Sequence, residues 1–389
     1  MVLGVLGALA AIAKVRYSYT TVDSHVFRLH YRWTTTLCFA CCALVVAKEY
    51  VGETIECITS GDPARLKPIT TFCWISTTFT INSTSPMRGI GKYNPNIHEQ
   101  RFHSYYQWVP LVLFLQGCLF YVPHLFWKWN EGKHVDHLLQ DLNKGIFDDD
   151  AKKKKENIIS YVRESWGLNM QYAFIYYVCE ALNLVNVLLQ MFIMDKFLGG
   201  MFWEYGTKIL SLMSADDAER HDAFITTFPR LTKCTYRRVG PSGDIVPEDV
   251  LCVLPQNIVN EKIYLVIWLW FVVLAIITAI WLLCRAVVLC SASVRLRLLE
   301  RLSKSRITEK MERTIHSLHL GDYCLLESIG YNLDHFDFKD ILQGVTDTVE
   351  EYEPSAPFSD GTYRPFLKPE DDDDLLPRHR FTSLASNGL

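Results

Sequence analysis

Apolar residues are not spread evenly along the chain. They gather into four runs, Thr34 to Val51, Gln107 to Trp129, Tyr172 to Met194 and Ile263 to Leu289, separated by long polar stretches. The last three are each about 20 residues or more with almost no charge, and at about 1.5 Å per residue such a helix crosses the roughly 30 Å hydrocarbon layer of a bilayer. The pattern therefore predicts four membrane-spanning helices. The first run is the least apolar at its end, where Lys48 and Glu49 fall in the last turn and can snorkel to the interface. A fifth apolar run, MVLGVLGALAAIA at residues 1–13, is too short to span. No Lys or Arg precedes it and Lys14 and Arg16 follow it, the reverse of a secretory leader's charge order. It reads as a short apolar helix lying against protein or lipid.

The second run opens with Tyr105, Tyr106, Gln107, Trp108, Val109 and Pro110. The rings suit the headgroup level, and Pro110 suits a first helical turn, where its missing N–H costs no hydrogen bond. Trp127, Lys128 and Trp129 mark the opposite interface, and Pro123 predicts a bend near that end unless neighbours compensate. The third run contains Glu180, Asn183, Asn186 and Gln190. At about 100° per residue these fall within an arc of roughly 120°, so one polar face must turn toward other helices or a wet cavity. Interhelical hydrogen bonding is its simplest role.

Charge then sets orientation. Lys14, Arg16, Arg28 and Arg32 outnumber Asp23 before the first run, and Arg295, Arg297, Arg301, Lys304 and Arg306 follow the fourth. Basic flanks favour the cytoplasm, so both termini are expected inside. The expected organisation is a cytoplasmic N-terminal segment at 1–33, spans at 34–51, 107–129, 172–194 and 263–289, and extracellular loops at 52–106 and 195–262. A partly helical cytoplasmic loop is expected at 130–171, a cytoplasmic helical region at 290–349 with Gly321 as a helix stop, and an acidic, proline-rich, disordered tail at 350–389.

Of twelve cysteines, Cys57 and Cys73 fall in the first outer loop and Cys234 and Cys252 in the second. An even number in an oxidising compartment favours disulfides, but four cysteines allow three connectivities and spacing does not choose among them. A zinc site would call for tighter C-x-x-C pairs. The other cysteines lie in or beside the runs or in the C-terminal region, and read as small apolar packing residues. A content of 49% hydrophobic and 13% aromatic residues fits a multipass membrane protein without establishing one. No glycine-rich phosphate loop, nucleophile elbow, catalytic pair or recurring metal spacing is present. The expectation is therefore no catalytic residue, no metal, no cofactor and no nucleic-acid partner, with membrane lipid as the surrounding medium.

Several strings go further. VFRLHYR before the first run, YYQWVP opening the second, two cysteines per outer loop, FPRLTKCT with GPSG, and LCVLPQNIVNEKIY leading into the fourth together resemble the innexins, the invertebrate gap-junction proteins. DKFLGG and FPRLTKCT are similar to arthropod members in particular, and the resemblance covers nearly all of residues 20 to 335. It implies an all-α membrane protein with four transmembrane helices per subunit, a cytoplasmic helical domain and two disulfide-linked extracellular loops. Subunits would assemble as homo- or hetero-oligomers with other innexins, eight per hemichannel, around a pore. Hemichannels of neighbouring plasma membranes would dock, and ions and small metabolites would diffuse passively between cells.

The resemblance also implies the pairing Cys57 with Cys252 and Cys73 with Cys234, and an N-terminal segment folded into the pore. Val2, Leu3 and Val5 would then border the narrowest region, where an apolar constriction gates by dewetting. Glu53 and Glu56 directly follow the first run; lining a pore, they would form rings of negative charge. Asn82, Ser83 and Thr84 form a glycosylation sequon in the first outer loop. Two other classes share parts of this pattern: an undocked, pannexin-like hemichannel, and a four-span adhesion or scaffold protein, which would have paired outer cysteines but lack YYQWVP.

Overall fold

The computed structural model of the chain describes residues 20–58, 66–81, 90, 100–139, 148–211, 227–306 and 308–352. Val2, Leu3, Val5, Asn82 and the tail beyond 352 lie outside the described residues. In chain order the elements are α1 (His25–Val51), β1 (Glu56–Ile58), α2 (Leu66–Ile75), β2 (Thr78–Ile81), β3 (Gln100–His103), α3 (Val109–Glu131), α4 (His134–Leu138), α5 (Asp148–Glu164), α6 (Met170–Phe197) and α7 (Phe202–Ser211). They continue with β4 (Leu231–Val239), β5 (Ile245–Val253), α8 (Pro255–Cys290), α9 (Ala292–Ser303), α10 (Glu309–Ser317), α11 (Leu320–Asn332) and α12 (His335–Tyr352). Helices α1, α3, α6 and α8 are long and apolar enough to cross a membrane. They pack around a core that includes Cys38, Val45, Leu113, Phe120, Val187, Met191, Tyr264, Phe271 and Leu274. Gly117 lets α3 approach α1 closely: a Cβ there would meet the Phe39 ring at 2.6 Å.

Two of these helices begin earlier than apolar counting predicts. Helix α1 starts at His25, where the Ser24 hydroxyl accepts a hydrogen bond from the Phe27 N–H at 3.2 Å, the usual service of an N-cap. Its charged first turns are tolerated because Phe27 and His30 point inward while Arg32 stays exposed. A π-helical stretch, Leu29–Thr34, runs inside it. Helix α8 starts at Pro255 and carries Gln256, Asn257, Asn260 and Glu261 in its first turns, all buried. The amides face protein and not lipid: Asn257 donates to the Pro229 carbonyl at 2.8 Å and Gln256 to that of Val45 at 3.3 Å. Pro123 sits inside α3, which remains a single helical element past it.

At one end of the bundle lies a five-stranded antiparallel sheet in the order β1-β5-β4-β2-β3. It lies within the two loops and joins three strands of only three or four residues, β1, β2 and β3, to the nine-residue strands β4 and β5. At the other end α4, α5 and α9 to α12 close over a second core built on Ile158, Val162, Leu299, Ile315, Leu326 and Phe338. Gly321 is not the helix stop expected there. It lies in the first turn of α11, where an added Cβ would come within 2.3–2.5 Å of the Asn169 and Met170 backbone, so its role is close packing of α11 on the start of α6.

Candidate functional site

The sheet end is built by alternation. Along β4 and β5 the side chains of Thr232, Cys234, Val250 and Cys252 are buried at every second position, as a pleated strand requires. Cys57 on β1 stands directly across from Cys252, and the two are bonded; Cys73 on α2 is bonded to Cys234. Both bridges join the first loop to the second and sit in a small core with Ile55, Ile69 and Leu254. The sulfurs of Cys57, Cys73 and Cys252 lie within 4.8 Å of one another. Each is consumed in a disulfide while zinc binds thiolates, so the cluster is two adjacent bridges and not a metal centre. Past the bridges β4 and β5 continue as a hairpin closed by Gly240 to Asp244, with Val239 and Ile245 exposed near its tip.

YYQWVP turns inward more than a headgroup belt would. Tyr106 is 1% exposed, its ring lies 4.9 Å from that of Trp74, and its hydroxyl donates to the Ser76 carbonyl. Tyr105 donates to the Thr227 carbonyl at 3.3 Å, and Gln107 donates to the Trp74 carbonyl. These residues tie the top of α3 to α2 and to the segment before β4. Only Trp108, 56% exposed, keeps the interfacial posture expected of the group. Pro110 does occupy the first turn of α3.

The polar stripe of α6 divides in two. Toward the sheet end, Gln190 donates to Asn186, whose own amide donates to the Leu119 carbonyl of α3 at 3.3 Å; Asn183 and Gln190 are buried. Toward the other end, Glu180 accepts from the Ser24 hydroxyl at 3.0 Å and from the Trp281 indole at 2.9 Å, and faces Arg285 of α8 at 3.5 Å. Arg285 in turn reaches both Glu327 oxygens of α11, at 2.8 and 2.9 Å. The side chains of Glu180, Arg285 and Glu327 are 3, 10 and 6% exposed, so one guanidinium serves two buried carboxylates. Burial raises the Glu327 carboxyl above its ordinary range, opposed by Arg285 and reinforced by Glu180. The node joins the segment before α1 to α6, α8 and α11. Neither Arg285 nor Glu327 was singled out by sequence reasoning, although a lone arginine inside an apolar run is the signal that could have found it.

Glu53 and Glu56 are both exposed, just past the sheet end of α1. Four spanning helices, two bridges between their loops and a helical domain at the opposite end form one connected subunit. The Innexin family profile matches residues 23–349. The chain belongs to the innexin family. Innexins are gap-junction channel subunits, and this innexin is one of them. It is 38% identical to innexin inx3 of Drosophila melanogaster over 92% of this chain and 93% of that protein. It is 37% identical to innexin inx2 of the same fly (90% and 97% covered) and 36% identical to innexin shaking-B (86% and 92%).

Proposed function

We propose that the subunit oligomerises, as an octamer on family precedent, around a pore that runs between subunits, with the sheet end extracellular and both termini cytoplasmic. The observation that carries the intersubunit pore is the packed interior: Phe120, Met191, Tyr264 and Phe271 meet in the middle of the four spans. Only 33–39% of the most apolar window of each span is buried, which leaves large faces for lipid and neighbouring subunits. The disulfides favour an oxidising exterior for the sheet, and the basic run after α8 favours the cytoplasm for the other end. The sheet, stapled across both loops, offers a rigid face for docking to the hemichannel of the next cell. Permeation is passive and needs no catalytic step.

Dye transfer between paired expressing cells, compared with uptake by single cells, tests this reading. Transfer between pairs is expected; uptake by single cells without transfer would make it an undocked hemichannel, and neither would favour adhesion. Exposed Glu53 and Glu56, repeated by symmetry, would favour cations, more at low salt than at high. Glu53→Gln is accordingly expected to move the reversal potential in a salt gradient toward the non-selective value. An unchanged potential would put Glu53 on a solvated loop start away from the pore.

A further inference from the structure

A groove at the sheet end shares Tyr105, Trp108 and Thr227 with the YYQWVP contacts, but its cations have not entered the features above. It lies between β3, the first turns of α3 and the last turn of α6, encloses about 550 Å³, and is lined by Arg101, His103, Trp108, Val112, Lys196 and Gly199 among others. Among the described residues its charge is one-sided: the lining includes Arg101 and Lys196 and no carboxylate. Arg101 and Lys196 have no acidic partner among the described residues; Lys196 rests 5.6 Å above the Phe192 ring, and the Arg101 guanidinium lies 3.5 Å from where a Cβ on Gly199 would stand. His103 adds no charge at neutral pH, because burial and then Arg101 push its pKa down to about 4, and its Nε2 is 2.9 Å from the Thr80 hydroxyl. Two cations sharing a groove without an acid repel each other unless an anion lies between them.

The surroundings say which anion. Trp108 sits at the start of α3, where aromatic rings meet lipid headgroups. From there Leu111, Val112 and Leu115 continue down the same helix face as Trp108, being three, four and seven residues on. On α6, Leu189, Phe192 and Ile193 lie on the face of Lys196 by the same rule. Leu111, Leu115, Leu189 and Phe192 are each about half exposed. The groove thus holds two cations, and beyond it half-exposed apolar side chains of both helices continue toward the bilayer centre, a surface that a soluble anion would leave unused.

We infer that this groove binds a phospholipid of the leaflet at the sheet end, its phosphate held between Arg101 and Lys196, its glycerol against Trp108 and an acyl chain along Leu111, Leu115 and Phe192. Arginine matches phosphate geometry in a fork and lysine acts as a point charge beside it. The site needs no docking, so its test uses single, undocked oligomers purified in detergent, and its result is independent of whether hemichannels dock.

The measurement is phospholipid phosphorus retained per subunit after exhaustive detergent washing, with the lipid identified by mass spectrometry. Wild-type protein is expected to retain phospholipid and Arg101→Gln/Lys196→Gln to lose it, with affinity falling about tenfold per lost charge-assisted contact. Arg237→Gln/Arg238→Gln, which removes two exposed cations from the hairpin, should leave retention unchanged. Should the double variant fail to assemble, Val112→Trp, which fills the groove while keeping both cations, is expected to give the same loss. Retention equal to wild type in the groove variants would overturn the site. Displacement of the lipid by glycerophosphate or inorganic phosphate at concentrations similar to a short-chain phospholipid would overturn the lipid in favour of a soluble anion.

Discussion

Arg285→Gln is expected to destabilise the subunit by roughly 3–5 kcal/mol, the usual result of removing one partner from a buried ion pair. The cause is what remains. Glu180 and Glu327 would face each other with no guanidinium between them, and both are nearly inaccessible to water. Glutamine can donate to one carboxylate but cannot neutralise either. For a protein of this size the apparent melting temperature should fall on the order of 5–10 °C, together with recovery of assembled oligomer.

The partners distinguish charge from packing. Glu180→Gln should cost less, since the Ser24 hydroxyl and Trp281 indole can still donate to the new amide oxygen and the Arg285 Nη1 keeps its contact with both Glu327 oxygens. Adding Glu327→Gln to Arg285→Gln should recover part of the loss, because it removes one of the stranded charges. A double-mutant cycle in which the two changes simply add would show that the residues are not coupled. Because the node holds the segment before α1 against three other helices, its loss should also loosen the attachment of the N-terminal region. Heightened protease cleavage before His25 would report that directly.

Legibility followed how much context each feature needs. The four spans could be read because a long apolar run states its own solvent, and neighbours only shift its ends. Those ends were misjudged wherever polar residues find protein partners: Asn257 and Gln256 look like loop until Pro229 and Val45 are seen to accept their hydrogen bonds. The outer cysteines could be read as a set because compartment and parity constrain them, whereas their pairing came only with family resemblance. Strands of three or four residues, such as β1 and β2, carry too little periodicity to declare themselves. Tyr106 was misplaced for a related reason. An amphipathic ring suits a membrane interface and a satisfied protein interior equally well, and the Ser76 carbonyl that decides between them lies 30 residues away. Glu180 was visible as polar in an apolar helix, but its counter-charge sits 105 positions later in the chain, beyond any local pattern.

Removing one bridge of the outer sheet, by Cys73→Ser/Cys234→Ser, is expected to abolish cell-to-cell coupling while sparing much of the membrane-embedded subunit. The bridges are nested, with Cys73 and Cys234 lying between Cys57 and Cys252 in the sequence. Once the Cys57 bridge has formed, the inner one closes a ring of about 34 residues, worth about 4 kcal/mol in the chain-entropy description. That constraint falls on α2 and β4, whose shared core is small: Ile69, Cys73, Cys234 and Val250 with few other apolar neighbours. So few buried side chains cannot offset the ordering entropy of the loops without covalent help. The four spans have their own core, which includes neither cysteine of this bridge. Paired cells expressing the double variant should therefore show surface protein and oligomers near wild-type levels with dye transfer at background. Serine at both positions leaves no unpaired thiol from that bridge, so disulfide scrambling is not a competing cause. Transfer at wild-type levels would mean that the docking face holds its shape with one bridge, and that the inner disulfide is redundant.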